Sequence, residues 1–206
     1  MVSNSLVLLV LLSGFAAATL VVFVLVGRIY NQLVGLKNLA QNGFGQIEIQ
    51  LKRRYDLIPN LVECVKTYLT HERETLHAVI AARNQASTQL AAVNHQVTNP
   101  QAIQGLASAE SVLGGALSRM SFVMESYPEL KGNEVVAQLT EELASTENRI
   151  AFARQVYNDS VTNFNVHRQS FPTVLLATTL GFAEDLTLLE FENAAALQDA
   201  PKVAFA

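Results

Sequence analysis

The residues best suited to chemistry cluster in "HERETLH", His71 to His77. Glu74 and His77 make a Glu-x-x-His pair, the i, i+3 spacing with which di-iron bundles set a carboxylate and an imidazole on one helix face. Such a centre needs a second pair on another helix, and the sequence holds no other Glu-x-x-His. A zinc-protease helix needs histidines four apart; His71 and His77 are six apart and point to different sides. The single cysteine, Cys64, precedes His71 by seven residues, roughly 10 Å along a helix, too far for an activated thiolate couple. Its neighbours Leu61, Val62 and Val65 mark it as a buried, reduced thiol. His95 falls in a predicted, solvent-exposed turn, and His167 beside Arg168 suits the carbonyl end of a helix. "NGFG" at 42–45 is too short for a phosphate loop and follows no strand. No catalytic, cofactor-binding or metal-ligating residue is therefore assigned. The enzymatic alternative is a metal hydrolase or oxidase using Glu74, His77 and acids from other helices.

The elements that would position these residues are read from hydropathy. Half of the 206 residues are apolar and only 16% are charged, an oily composition that fits a globular part plus a membrane segment. Eighteen acids against fourteen bases give a net charge of −4, which disfavours nucleic acid as a partner. One cysteine excludes an internal disulfide and a cysteine-rich zinc site. Residues 6–26 carry no charge and as a helix would span roughly 31 Å, one hydrocarbon thickness. A cleaved leader ending near "AAAT" at 16–19 is the rival reading. Against it, no cation precedes the run, which is long for a leader and continues past the alanines. Arg28, Lys37, Lys52, Arg53 and Arg54 all follow the run, so the positive-inside rule puts the N-tail outside and the bulk of the chain in the cytoplasm. Gly14 and Ala18 form a small-xxx-small pair through which two such helices could touch.

Beyond the anchor, Ile29, Leu33, Leu36, Ala40, Phe44, Ile47, Leu51, Tyr55 and Ile58 recur in steps of three and four, one buried stripe on a helix. The stripe resumes at Val62 and runs through Val65, Leu69, Leu76, Val79 and Ile80 towards residue 93. Asn99 and Pro100 start a second run, and Pro128, Gly132 and Asn133 form a turn before a third. That last run ends near Pro172. Thr146 lies on its seam, where a buried hydrogen bond setting helix register is expected. Pro59 lacks an N–H and crowds the carbonyl of Tyr55, so a kink or break is expected there. The basic triplet Lys52, Arg53 and Arg54 is read as complementing the carbonyl end of the segment before that break, with Glu48 and Lys52 as an i, i+4 pair. Gly114 and Gly115 weaken the second run or allow close approach. The fold class is all-α: a transmembrane helix followed by an elongated antiparallel bundle of three to four long helices. The expected parts are an external tail (1–5), the span (6–27), the bundle (28–172) and a partly apolar tail (173–206) that covers the bundle, lies on the membrane or docks a partner.

In order and spacing, "IYNQLVGLKN", "QIEIQLKRRYDLIPNLVE", "HERETLHAVIAAR", "YPELKGNE", "TENRIAFARQVYNDSV", "SFP" and the closing "APKVAF" resemble the LemA family. The resemblance implies a bacterial single-pass membrane protein with a helical bundle and no established enzymatic activity. The family includes a magnetosome-membrane protein, which implies a part in membrane organisation. Two places depart from the family pattern. Gly43-Phe44-Gly45 is richer in glycine and is expected to loosen its helix; residues 182–197 match weakly.

The functional expectation is a non-enzymatic scaffold or interaction protein in the bacterial inner membrane, with the membrane, protein partners and a second copy of itself as partners. No small-molecule substrate is evident. An adaptor for a membrane protease or quality-control enzyme is the alternative partner role.

Overall fold

A computed structural model describes residues 2–93 and 97–191. His95, the closing "APKVAF" and the rest of the tail beyond residue 191 lie outside them. Among the described residues five helices follow in order: α1 (Val2–Lys66), α2 (Arg73–Val93), α3 (Pro100–Glu125), the single turn α4 (Pro128–Lys131) and α5 (Glu134–Gln169). A 3-10 turn at Thr173–Leu175 leads into an extended segment, and the described residues include no strand. The all-α reading with four long helices holds.

α1 meets two environments along one unbroken helix. Its first part has a mean hydropathy of 2.7 and no protein cover on any side. A helix apolar all round and bare of protein needs an apolar medium, here a bilayer. From Ile29 onward one side turns inward, and Leu33, Ala40, Phe44, Ile47, Leu51 and Ile58 lose essentially all exposure. The backbone of α1 runs unbroken through 27/28, where the sequence reading places the start of the bundle.

α5 runs antiparallel to α1 for most of its length. Phe44 meets Tyr157 edge-on at 5.8 Å, and ten residues further along α1 Arg54 pairs with Glu147, ten residues back along α5. α2 packs on α3 and on the end of α1, closing the bundle. Gly43 serves this packing rather than loosening the helix: a Cβ there would stand 3.2 Å from the Tyr157 Cα, so glycine lets the two backbones approach. Gly115 meets nothing within 4 Å, so it takes no part in a close approach.

Of the two outcomes expected at Pro59, the break does not occur; α1 continues to Lys66. Pro59 still denies the Tyr55 carbonyl its helical donor. Arg83 of α2 supplies the missing hydrogen, its Nε donating to the Tyr55 oxygen at 2.9 Å. The reversal between α1 and α2 falls instead at residues 67–72, inside a stripe that reads as continuous. Leu69 explains the misreading: its side chain stays fully buried while its N–H still bonds the Val65 carbonyl at 2.9 Å. The other boundaries follow the sequence. Asn99 Oδ1 accepts from the Ala102 N–H at 3.2 Å with Pro100 as first helical residue, and Asn133 Oδ1 accepts from Val135 and Val136.

Candidate functional site

Two polar constellations flank the α1–α5 pair: one joins α1 to α3 and α5, the other ties a following extended segment to α5. At the end remote from the apolar span, Arg54 and Glu110 occupy seam positions among leucines and isoleucines, and each residue is 3% exposed. Arg54 pairs through Nη2 with Glu110 Oε2 and through Nη1 with Glu147 Oε2, while the Tyr55 hydroxyl donates to Glu110 Oε1. Three helices thus share one guanidinium, and both oxygens of Glu110 are engaged. Burial pushes the Tyr55 hydroxyl well above its ordinary range, with Arg54 and then Arg83 pulling the other way. Tyr55 is therefore a neutral donor throughout the physiological range. The Arg83 guanidinium also lies 6.0 Å from the Tyr55 ring centre, tying the α2 contact at Pro59 into the same network. A groove of about 410 Å³ opens beside it, lined by Arg54, Leu61, Leu117, Met120, Leu143 and Glu147.

At the other end, residues 182–191 lie extended along α5, with Phe182, Leu186 and Leu189 buried. Asn165 Nδ2 donates to the Leu186 carbonyl at 2.9 Å while its Oδ1 accepts the Leu186 N–H at 2.8 Å. Asn158 treats Leu189 identically, at 3.2 and 2.9 Å. The spacing is physical: seven helical residues and three extended ones both cover about 10 Å. Two side-chain amides thereby act as the neighbouring strand that the segment lacks. Tyr157 adds a donated bond to the Thr187 carbonyl at 2.8 Å, and burial holds its hydroxyl above the ordinary range. Arg168 anchors the entry, donating to Asp185 Oδ1 at 2.6 Å and to the Ala183 carbonyl at 3.1 Å. Arg154 lies 4.4 Å from the Phe191 ring centre; burial draws its pKa down, with Glu147 and Glu190 opposing.

The residues singled out in the sequence do not converge. Glu74 and His77 are exposed on α2 and His71 is exposed in the preceding turn. Among the described residues no three of His, Cys, Asp and Glu gather as a metal-holding group. Cys64, expected to be buried, is half-buried, because it sits at the rim of the α1 stripe. His167 is half-buried in the last turn of α5, as a residue complementing that terminus would be. Thr146 is buried, yet its hydroxyl donates back to the Glu142 carbonyl of its own helix at 2.7 Å and sets no register between helices. Lys52 pairs with Glu48 at 2.5 Å as expected. Arg53 and Arg54 answer cross-helix carboxylates, Glu142 at 3.5 Å and the buried pair, rather than a helix end. The sequence reading does not single out Glu110, Asn158 or Asn165. The available signals were an acid at the seam step between Leu106 and Leu113, and two asparagines seven apart.

A bare apolar helix running without interruption into a closed helical bundle defines a membrane-anchored, all-helical protein. The chain belongs to the LemA family, whose model matches residues 43–205, including the stretch after 182 where the resemblance was weak. It is 28% identical over 158 residues to the protein LemA of Metamycoplasma hominis, covering 77% of this chain and 67% of that protein. It is 25% identical over 168 residues to the magnetosome protein MamQ of Magnetospirillum gryphiswaldense, covering 74% and 62%. The magnetosome protein MamQ 2 of Paramagnetospirillum magneticum is 23% identical over 172 residues, with the same coverage of 74% and 62%. The chain thus spans less than two thirds of the length of these MamQ relatives.

Proposed function

We propose that this protein is a non-enzymatic scaffold that self-associates and presents its bundle to protein partners at the cytoplasmic face of a bacterial inner membrane. The observation that carries the reading is the continuity of α1. From Arg28 to Lys66 the same helix that forms the span extends roughly 58 Å into the bundle, so surfaces at the far tip have a fixed distance from the bilayer. Along the bundle, Phe152 and Val156 of α5 stay exposed and border a groove of about 480 Å³ against Gln46 and Gln50 of α1. Exposed aromatic surface of this kind marks protein contact. Two of the relatives are magnetosome proteins, which supports a role at membranes. The positive residues that follow the span support the cytoplasmic placement.

Crosslinking in intact membranes, followed by identification of the captured chains, tests the reading. It predicts a crosslinked homo-oligomer and at least one protein partner; a strict monomer in both membranes and detergent would remove it. Protease added outside intact cells should leave the bundle whole, and digestion from that side would reverse the orientation. Stoichiometric iron or zinc in the purified protein would shift the reading to an enzyme built around Glu74 and His77.

A further inference from the structure

We infer that the turn at residues 171–175 lies in the interfacial layer of the same bilayer that α1 crosses, giving the bundle a second contact with the lipid surface. The α1–α5 register fixes the height of this turn. With Phe44 beside Tyr157 and both helices advancing equally to Arg54 and Glu147, Phe171 falls level with Tyr30. A second contact bounds the height: Phe182, which follows the turn, sets its ring 6.0 Å from the Tyr30 ring and 6.0 Å from the Lys37 Nζ, so it lies between those two levels of α1. Tyr30 stands four residues beyond the end of the uncharged run, about 6 Å along the axis. The headgroup layer outside the hydrocarbon is about 5–8 Å thick on each side, so the turn sits within it.

The chemistry of the turn fits that layer. Residues 170–183 carry no charge, whereas Arg168 and Asp185 flank them as an ion pair. Phe171 is 80% exposed, Leu175 68% and Val174 48%, although the backbone beneath them is well held. The Thr173 carbonyl accepts from both Leu176 and Ala177, at 2.9 and 2.8 Å, and Thr173, Ala177 and Phe182 are buried against the bundle. Apolar side chains presented outward on a fixed backbone, at the level of a half-exposed tyrosine, match the aromatic and apolar girdle of membrane interfaces. Continuity with the span selects lipid over a protein as what covers them. The insertion is apolar, so it survives salt of about 1 M, where the Debye length shrinks to about 3 Å.

This inference rests on α1 crossing the bilayer, and the test separates the two. The chain has no tryptophan, so each of F171W, F15W and F122W carries a single reporter. Phe15 lies in the bare part of α1 and Phe122 near the far end of α3; they are 74% and 73% exposed, close to Phe171. Each full-length variant is placed in phosphatidylcholine vesicles with acyl-chain bromines. F171W should lose about half its emission or more, as an indole seated about 5–10 Å into the headgroup boundary does. F15W should be quenched as strongly, F122W should not be, and salt should change neither result. An unquenched F171W beside a quenched F15W overturns the inference and leaves the anchor standing. Loss of quenching in F15W overturns both, and quenching of F122W equal to that of F171W overturns the turn as the specific contact.

Discussion

The two halves of the bundle carry opposite chemistries. Far from the membrane, a buried guanidinium shared by Glu110 and Glu147 joins three helices inside the core. Near the membrane, neutral asparagine amides hold an extended segment at the rim. A buried ion pair contributes little net stability when whole, yet losing one member strands the other charge without water. Amide-to-backbone bonds are individually modest and can open one at a time. The far end is therefore a lock that holds or fails as a unit, and the near end a strap that can peel while the bundle stays folded.

The largest effect should come from breaking the lock. Glu110→Ala should destabilise the full-length protein in detergent by about 3–5 kcal/mol in chemical denaturation, because Arg54 keeps only the half-exposed Glu147. Replacing the pair together, Arg54→Met with Glu110→Leu, should recover most of that loss. A double variant as weak as the single one would show that the pair is net stabilising and that the two halves do not differ in this way. Next in size is the bond at Pro59. Arg83→Ala leaves the Tyr55 carbonyl without a donor and should cost about 1–3 kcal/mol. Pro59→Ala restores the helical N–H, so the Arg83→Ala cost should shrink in that background; additivity in the cycle would show that Arg83 acts otherwise.

The strap should answer more gently and locally. Asn165→Ala removes both bonds to Leu186 and should cost about 1–2 kcal/mol, with faster amide exchange confined to residues 182–191. Global unfolding on the same substitution would mean that the strap belongs to the cooperative core. Tyr157 gives this end a pH response. Its hydroxyl is held above its unfolded value of about 10, so the stability it adds is complete below that value and is lost as pH rises beyond it. Tyr157→Phe should flatten the alkaline fall in stability above about pH 10, measured against the parent.

What the sequence made legible follows from which forces leave a periodic mark. Burial of one helix face does so, and the stripe from Ile29 to Ile58 foretold its core side residue by residue, except that Leu36 is only partly buried. Asn99 with Pro100 and the cap at Asn133 were equally readable because capping requires particular residue types. Leu69 hid a turn by remaining in the core through it. Glu110 is hard to read because a lone acid looks like surface unless its seam position between Leu106 and Leu113 is weighed above its charge. The strap left no mark on its own residues. Asparagine bonds backbone, which every residue carries, so nothing in "DLTLL" names Asn158 or Asn165 as its partner.

The smallest expected effect sits two residues from Arg54, the cation at the centre of the lock. Lys52 pairs with Glu48 at 2.5 Å, a shorter contact than many strong bonds in the bundle, yet its side chain is 63% exposed. Water and salt screen that pair and two flexible side chains lose freedom to form it, so Lys52→Ala should cost no more than about 0.5 kcal/mol. Adding about 1 M salt should erase even this difference while leaving the Glu110→Ala penalty intact, because mobile ions do not reach the buried pair. Equal salt sensitivity at the two positions would mean that the network around Arg54 is wet, and the distinction between a buried lock and a peelable strap would fall with it.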